Sequence, residues 1–271
     1  MTSVCFSFAK QLKEKLNGFI PETVLILGSG LGSLAENIQN RQIIKYADIE
    51  GFPQSTVIGH ENQFIAGHLK GKKVLCMQGR FHLYEGVDPQ LINQVISAFK
   101  LLGVKRMVIT NAAGSLNPDM PAGSLMLITD HINLSGRNPL IGTNDDNIGP
   151  RFPDLTHAYD QKLLSLARKT AKDLNLPLFE GIYTMVTGPN FETPAEVKAF
   201  ARLGGDAVGM STVPEVLCAV HAGLEVLGFS VITNLGAGLQ QKEQTHEETL
   251  TMANKAAQSL SLLLSAIFER M

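Results

Sequence analysis

The feature that most limits how this chain can fold is an alternation. Short runs rich in Val, Ile and Leu recur between segments with helical periodicity. The runs are Thr23–Leu27, Gln63–His68, Lys73–Met77, Arg106–Thr110, Ser124–Thr129, Phe179–Val186, Ala207–Met210 and Val226–Thr233. Largely apolar runs of this length predict strands buried on both faces, and their alternation with helices predicts an α/β fold around a mainly parallel or mixed sheet. At about 150 residues per domain, the chain could hold one or two. The runs are spread too evenly for two units and no Ser- or Pro-rich linker separates them, so residues 1–271 are read as one domain.

Helix starts are marked by capping chemistry. Asp88-Pro89 places an N-cap before a proline, ahead of the apolar positions Leu91, Val95 and Leu102. Thr193-Pro194-Ala195-Glu196 is a capping box, and Thr245-His246-Glu247-Glu248 is a second, opening a long helix towards Phe268. Between Ser135 and Thr156 the pattern dissolves into Gly, Asn, Asp and Pro, a long excursion of the kind usually tied to function.

Charge and cysteine usage exclude several classes of activity. Lys plus Arg is 23 against 25 Asp plus Glu, a formal charge of −2, so the footprint of a nucleic-acid binder is missing. Cys5, Cys76 and Cys218 lie far apart and form neither a disulfide framework nor a metal knuckle, as expected of buried thiols in a reducing cytoplasm. The N-terminus lacks a signal-peptide pattern, and no apolar stretch approaches the roughly 20 residues of a membrane span, so a cytoplasmic protein with no membrane partner is expected. The histidines show no HxH or HExxH spacing, so no metal is expected, and His68, His131, His157 and His221 are read as structural or surface residues.

The chemistry gathers where strands end. Gly28-Ser29-Gly30-Leu31-Gly32 follows a strand and can turn backbone N–H groups and the Ser29 hydroxyl towards an anion. A dinucleotide fingerprint would need glycine at position 33, where Ser33 stands; phosphate suits the turn and a dinucleotide does not. In Gln78-Gly79-Arg80-Phe81-His82-Leu83-Tyr84-Glu85-Gly86, continued extended geometry would put Arg80, His82 and Tyr84 on one face, where guanidinium and imidazole could share a dianion. Small residues in Thr110–Asn117 leave room for a ligand at a strand end, or make a simple turn. Phe191 offers a ring face to a flat heterocycle and Glu192 a carboxylate to its N–H edge, unless that carboxylate serves only helix capping. Ser211-Thr212 puts hydroxyls at a helix start, and Thr233-Asn234 puts a carboxamide at a strand terminus, able to donate and accept together. An anion site (Ser29, Arg80, His82, Ser211) beside a base-like site (Phe191, Glu192, Asn234) suggests attack by phosphate on a nucleoside.

These stretches resemble the trimeric purine nucleoside phosphorylases that prefer 6-oxopurines, over nearly the whole chain. The motifs that carry the resemblance are GFPQSTV with His60 following, MQGRFHLYEG, TNAAGSLN, GPNFETPAE, DAVGMSTVPE and the late Thr233-Asn234. The resemblance implies a single α/β domain whose central mixed sheet extends into a distorted barrel surrounded by helices. It implies phosphate binding by Ser29, Arg80, His82, the Ala112 backbone and Ser211, with His60 alongside. Tyr84 and Met210 would line the ribose, and His246 would reach its 5′-hydroxyl. Phe191, Val208 and Thr233 would flank a purine read by Glu192 and Asn234. Phe152 of Arg151-Phe152-Pro153 would close the pocket of a neighbouring subunit, making a homotrimer with active sites at its interfaces.

The activity implied is reversible phosphorolysis of inosine, guanosine and xanthosine, or their 2′-deoxy forms, in purine salvage, with inorganic phosphate as co-substrate and no cofactor. Asn234, His82 and Glu192 would be the catalytic groups. Methylthioadenosine phosphorylase is a neighbouring reading, but it uses Asp where Asn234 stands; a nucleoside-binding module without turnover is another. One departure from the family pattern falls beside the anion site: Glu61-Asn62 follows His60 where relatives commonly carry Ala-Gly.

Overall fold

A computed structural model of the chain describes residues 4–57, 59–239 and 246–271. Its centre is β1 (Thr23–Ile26), buried at every position because it lies between two parallel neighbours. Those neighbours are β4 (Lys72–Gln78), in register Thr23↔Val74, and β5 (Arg106–Ser115), in register Thr23↔Arg106. β3 (Gln63–Leu69) returns antiparallel to β4 through a two-residue hairpin at Lys70-Gly71, both at positive φ (50° and 79°), the turn whose twist matches the strands it joins.

Every run read as a strand is one, and one strand escapes the reading. β2 (Gln39–Lys45) borders β3, and only Ile44 of its side chains is buried. Its polar sequence suits an edge that must not recruit another chain, and the same polarity hides it from a search for apolar runs.

Beyond Ile109 the sheet closes on itself. β5 continues to Ser115, where the sequence reading had a strand end or turn, and pairs along that length with β9 (Glu225–Leu235). β9 also pairs with β6 (Leu125–Asn133), β6 with β7 (Phe179–Met185), β7 with β8 (Ala207–Gly209), and β8 returns to the tip of β5. The nine-stranded mixed sheet thus ends in a closed barrel that shares β5 with the open part, and helices surround it.

Two caps form as read. Asp88 accepts from the Gln90 N–H at 2.9 Å to start α2 (Pro89–Leu101), and Thr193 and Glu196 complete both halves of their capping box on α4 (Pro194–Arg202). The long C-terminal helix α6 runs His246–Arg270 and buries Ala253, Ala256, Ala257, Leu260, Leu263, Leu264, Ile267 and Phe268, a helical stripe. Its expected cap, Thr245, lies outside the described residues. Helices α1 (Val4–Lys15) and α3 (Gln161–Asp173) were not read from the sequence, and α5 (Val213–His221) was anticipated only at its start; α5 is buried on nearly every side.

The 134–160 connection has few regular hydrogen bonds of its own. Asn133, Asn138, Asp145 and Asp154 instead accept from backbone N–H groups two residues on, at 2.8–3.1 Å, shaping successive turns. That segment leaves Ile141 and Phe152 largely uncovered, Phe152 at 87% exposure.

Candidate active site

The C-terminal ends of β1, β4, β5, β8 and β9, with the segment after β7, converge on one cleft, the place where open α/β sheets accept ligands. Gly28, just past β1, is required there: a Cβ on it would stand 2.7 Å from the Asn111 Cα and 2.8 Å from the Thr110 carbonyl oxygen. Its N–H donates to the Thr110 hydroxyl at 3.2 Å, which brings Ser29 to the cleft wall.

Arg80 is 1% exposed. One terminal nitrogen donates to the Ser211 and Thr212 hydroxyls at 3.0 and 2.9 Å, and the other donates to the Thr110 carbonyl. Its Nε has no partner among the described residues. Burial lowers the guanidinium from its ordinary value while Glu215 opposes that shift, and arginine stays charged. A cation fixed at the cleft wall is what an anion there requires.

The extended geometry anticipated for Arg80, His82 and Tyr84 does not persist. β4 stops at Gln78, and a single 3₁₀ turn occupies Leu83–Glu85. Tyr84 still reaches the cleft, its ring stacked on His82 at 4.7 Å and 16°, while His60 also stacks on His82, at 5.4 Å and 25°. Glu85 organises this corner. It accepts from the His82 N–H (2.8 Å), the Thr56 N–H (2.6 Å) and the Thr56 hydroxyl (2.9 Å), and contacts His82 Nδ1 at 3.3 Å. Burial alone would raise its carboxyl, but the bonds from His82 and Thr56 outweigh that and bring it down to about 2. Burial, with repulsion from Arg80, lowers His82 despite Glu85. Burial, His82 and Arg80 take His60 down to about 4. Burial thus holds both imidazoles towards the neutral form.

At the other side of the cleft stand Asn234, Val208 and Gly114, paired across β9, β5 and β8. Thr233 donates to Asn234 Oδ1 at 2.8 Å and Asn234 Nδ2 donates to the Leu235 carbonyl at 3.1 Å, so the carboxamide is oriented. A Cβ on Gly114 would approach Asn234 Nδ2 to 3.1 Å. Phe191 is 40% exposed and Glu192 half-buried; Glu196, not Glu192, closes the Thr193 capping box, leaving Glu192 for the cleft. Burial raises the Glu192 carboxyl.

Of the expected residues, Ser29, Arg80, His82, Tyr84, Ala112, Phe191, Glu192, Val208, Met210, Ser211, Thr233 and Asn234 line this cleft. His60 is one step behind it, its Nε2 3.2 Å from the Ser29 hydroxyl. Phe152 lies on the exposed 134–160 connection under Arg151, whose guanidinium sits 5.8 Å over its ring, and does not line the cleft of its own chain. His246 opens α6, but its side chain lies outside what is described.

Two contributors were not anticipated, and a third, Thr212, was anticipated only as a hydroxyl at a helix start. Thr249 of α6 lines the cleft. Glu85 sits three residues after His82, a spacing that a search for capping pairs would have found. Thr212 is the third: at φ 77° and ψ −52°, with the Val213 N–H donating to the Ser211 carbonyl at 2.8 Å, it is the centre of a γ-turn. A β-branched residue held so costs about 1–3 kcal/mol. Donation to its hydroxyl from Arg80 and from Asn111 (2.8 Å) holds it in place.

Comparison with known proteins shows the family to which this fold belongs. The sequence model of the phosphorylase superfamily matches residues 22–269. The chain belongs to the phosphorylase superfamily. Within that superfamily it is 51% identical to purine nucleoside phosphorylase 1 of Bacillus subtilis over 247 residues, covering 91% of each chain. It is 48% identical to purine nucleoside phosphorylase 1 of Geobacillus stearothermophilus, over 97% of this chain and 96% of that one. A crystal structure of the Schistosoma mansoni purine nucleoside phosphorylase in complex with inosine superposes with a TM-score of 0.93 at 37% identity, covering 99% of this chain and 96% of that one. Among the described residues, no helix is long and apolar enough to cross a membrane.

Proposed function

We propose that the chain catalyses reversible phosphorolysis of purine ribo- and 2′-deoxyribonucleosides, releasing the base and α-(deoxy)ribose-1-phosphate. The observation that carries this reading is the path of β5: Thr110 accepts from Arg80, and Gly114 lies against Asn234. Four strand steps separate them, about 13 Å at about 3.3 Å per residue, the span needed to seat phosphate, pentose and purine in a row. The sequence similarity to purine nucleoside phosphorylases and the fold shared with an inosine complex support the same reading.

In this mechanism phosphate is the nucleophile, so no covalent enzyme intermediate and no cofactor are required. Arg80, Ser29, Ser211, His82 and the Ala112 backbone hold it under the anomeric carbon. A phosphate oxygen forms the new bond to that carbon as the glycosidic bond breaks, inverting the centre and leaving the bonding pair on the purine. Positive charge grows on the sugar, where the phosphate stabilises it, and negative charge grows on the base. Asn234, its carboxamide held by Thr233, hydrogen-bonds the imidazole side of the purine and assists protonation there, while Glu192 accepts from the ring N–H of a 6-oxopurine. Phe191 and Val208 flank the base; Tyr84 and Met210 line the sugar, and His246 takes its 5′-hydroxyl. Inosine, guanosine and xanthosine are the substrates to try.

The exposure of Phe152 supports a homotrimer in which that ring closes a neighbour's cleft. The three buried free cysteines support a cytoplasmic setting, and the proposed reaction fits a role in purine salvage. The test is hypoxanthine release from inosine by the purified chain with and without added phosphate. Release that requires phosphate is expected; release without it would make the enzyme a hydrolase and the anion site a misreading.

A further inference from the structure

Asn62 lies at φ 51°, a left-handed conformation that asparagine tolerates. Its carboxamide grips one residue twice: Oδ1 accepts from the Ser55 N–H and Nδ2 donates to the Ser55 carbonyl, both at 2.8 Å. Its own carbonyl accepts from the N–H of fully buried Tyr46 at 2.9 Å, and the Tyr46 hydroxyl donates to the Gly79 carbonyl at 2.7 Å. The grip is thus tied to the segment that delivers Arg80.

Ser55 is 6% exposed and sits between two groups of the anion corner. Its hydroxyl is 3.1 Å from Glu85 Oε1 and 3.0 Å from His60 Nδ1. Glu85 is ionised and can only accept, so the hydroxyl proton of Ser55 goes to Glu85 and its oxygen accepts from His60 Nδ1–H. The Arg80 carbonyl, 3.0 Å from the same nitrogen, favours the same tautomer. The longer 3.3 Å approach of the Arg80 N–H would need the opposite one. His60 Nε2 is then bare and takes the Ser29 hydroxyl proton, so Ser29 Oγ faces the cleft as an acceptor, suited to the P–OH of hydrogen phosphate.

We propose that Asn62 is a positioning residue for phosphate: its two-bond grip on Ser55 sets the place and tautomer of His60, and through His60 the orientation of Ser29. The inference rests on the phosphate reading of the cleft given above.

The test compares the full chain with Asn62→Gly, which keeps the left-handed backbone and removes both amide bonds. Calorimetric titration with inorganic phosphate and steady-state kinetics with inosine are measured together. Phosphate Kd and KM are expected to rise roughly five- to twentyfold, with kcat and the inosine KM held within about twofold. Asn62→Asp, which retains the acceptor for the Ser55 N–H, should fall between the two. Ser55→Ala, which cuts the link to His60, should reproduce the phosphate defect. Unchanged phosphate affinity in Asn62→Gly overturns the proposal, as does an equal loss in phosphate and inosine parameters. A wild-type chain that binds no phosphate overturns it together with the reading of the cleft, whereas phosphate binding without turnover overturns only the proposed reaction.

Discussion

Replacing Arg80 with methionine should damage function while leaving stability nearly untouched, and the two magnitudes follow from the same contacts. The guanidinium donates to Ser211, Thr212 and Thr110 from a fully buried position. Three charge-assisted bonds contribute about 1.5–3 kcal/mol each, but removing a buried charge also recovers a desolvation cost of several kcal/mol. Ser211 and Thr212 can bond each other, being 3.2 Å apart, so mainly the Thr110 carbonyl is stranded, at about 1–3 kcal/mol. The terms nearly cancel, and for a chain of this size each kcal/mol moves Tm by only about 2–4 °C. Phosphate affinity has no such compensation: losing the site's fixed cation should cost about 3–4 kcal/mol, or 10²–10³-fold in Kd. The assay is thermal unfolding with and without phosphate. At 100 times its Kd, phosphate stabilises the wild type by about 2.7 kcal/mol, a shift of several degrees. Arg80→Met should melt within a few degrees of wild type without phosphate and show almost no shift with it. A variant that keeps the full phosphate-induced shift would refute Arg80 as the anion's main partner. A collapse of more than about 10 °C without phosphate would refute the compensation argument.

Asn234→Ala should lower kcat about 10²-fold with little change in the inosine KM, because its bond to the purine tightens as charge develops; a near-normal kcat counts against that role. Co-expression of Phe152→Ala with Asn234→Ala chains should give more activity than either alone, since some clefts would combine an intact Asn234 with a neighbour's intact Phe152; no gain argues against a shared site. Glu85 is held below the usual carboxylate value of 4.5, down to about 2. Its contribution to stability is therefore complete above about pH 4.5 and disappears as pH falls towards 2. Denaturant unfolding of Glu85→Gln against wild type should show a deficit of about 1–2 kcal/mol at pH 7, once solvent screening of this half-buried group is allowed for, and the deficit should shrink on acidification. A gap constant with pH would mean that the lost interaction does not depend on ionisation.

Most of the strands and the binding motifs are local statements, which is why they can be read without the fold. A strand such as Thr23–Ile26 must be apolar on both faces because both are covered, and Asp88 and Thr193 cap the N–H groups a few residues ahead of them. The motifs after these strands fall together because parallel strands present their C-terminal ends to one edge. What was missed is non-local or polar. β2 carries an edge strand's hydrophilic sequence, and the extension of β5 to Ser115 depends on pairing with β9 more than a hundred residues away. The side-chain roles of Glu85 and Thr212 exist only because segments distant in sequence meet them: Ser55 and Thr56 for the first, Arg80 and Asn111 for the second.

By itself, then, the sequence determined an α/β chain with an anion-binding set and a base-reading set at its strand ends, because residue type and short spacing already specify those chemistries. Tertiary structure decided how the sets relate. Closure of the barrel carries β5 from Arg80 to Asn234, burial holds His60 and His82 towards the neutral form, and the Thr212 turn fixes Arg80. Distance, desolvation and strain are properties of residues brought together, and no single segment of the chain contains them.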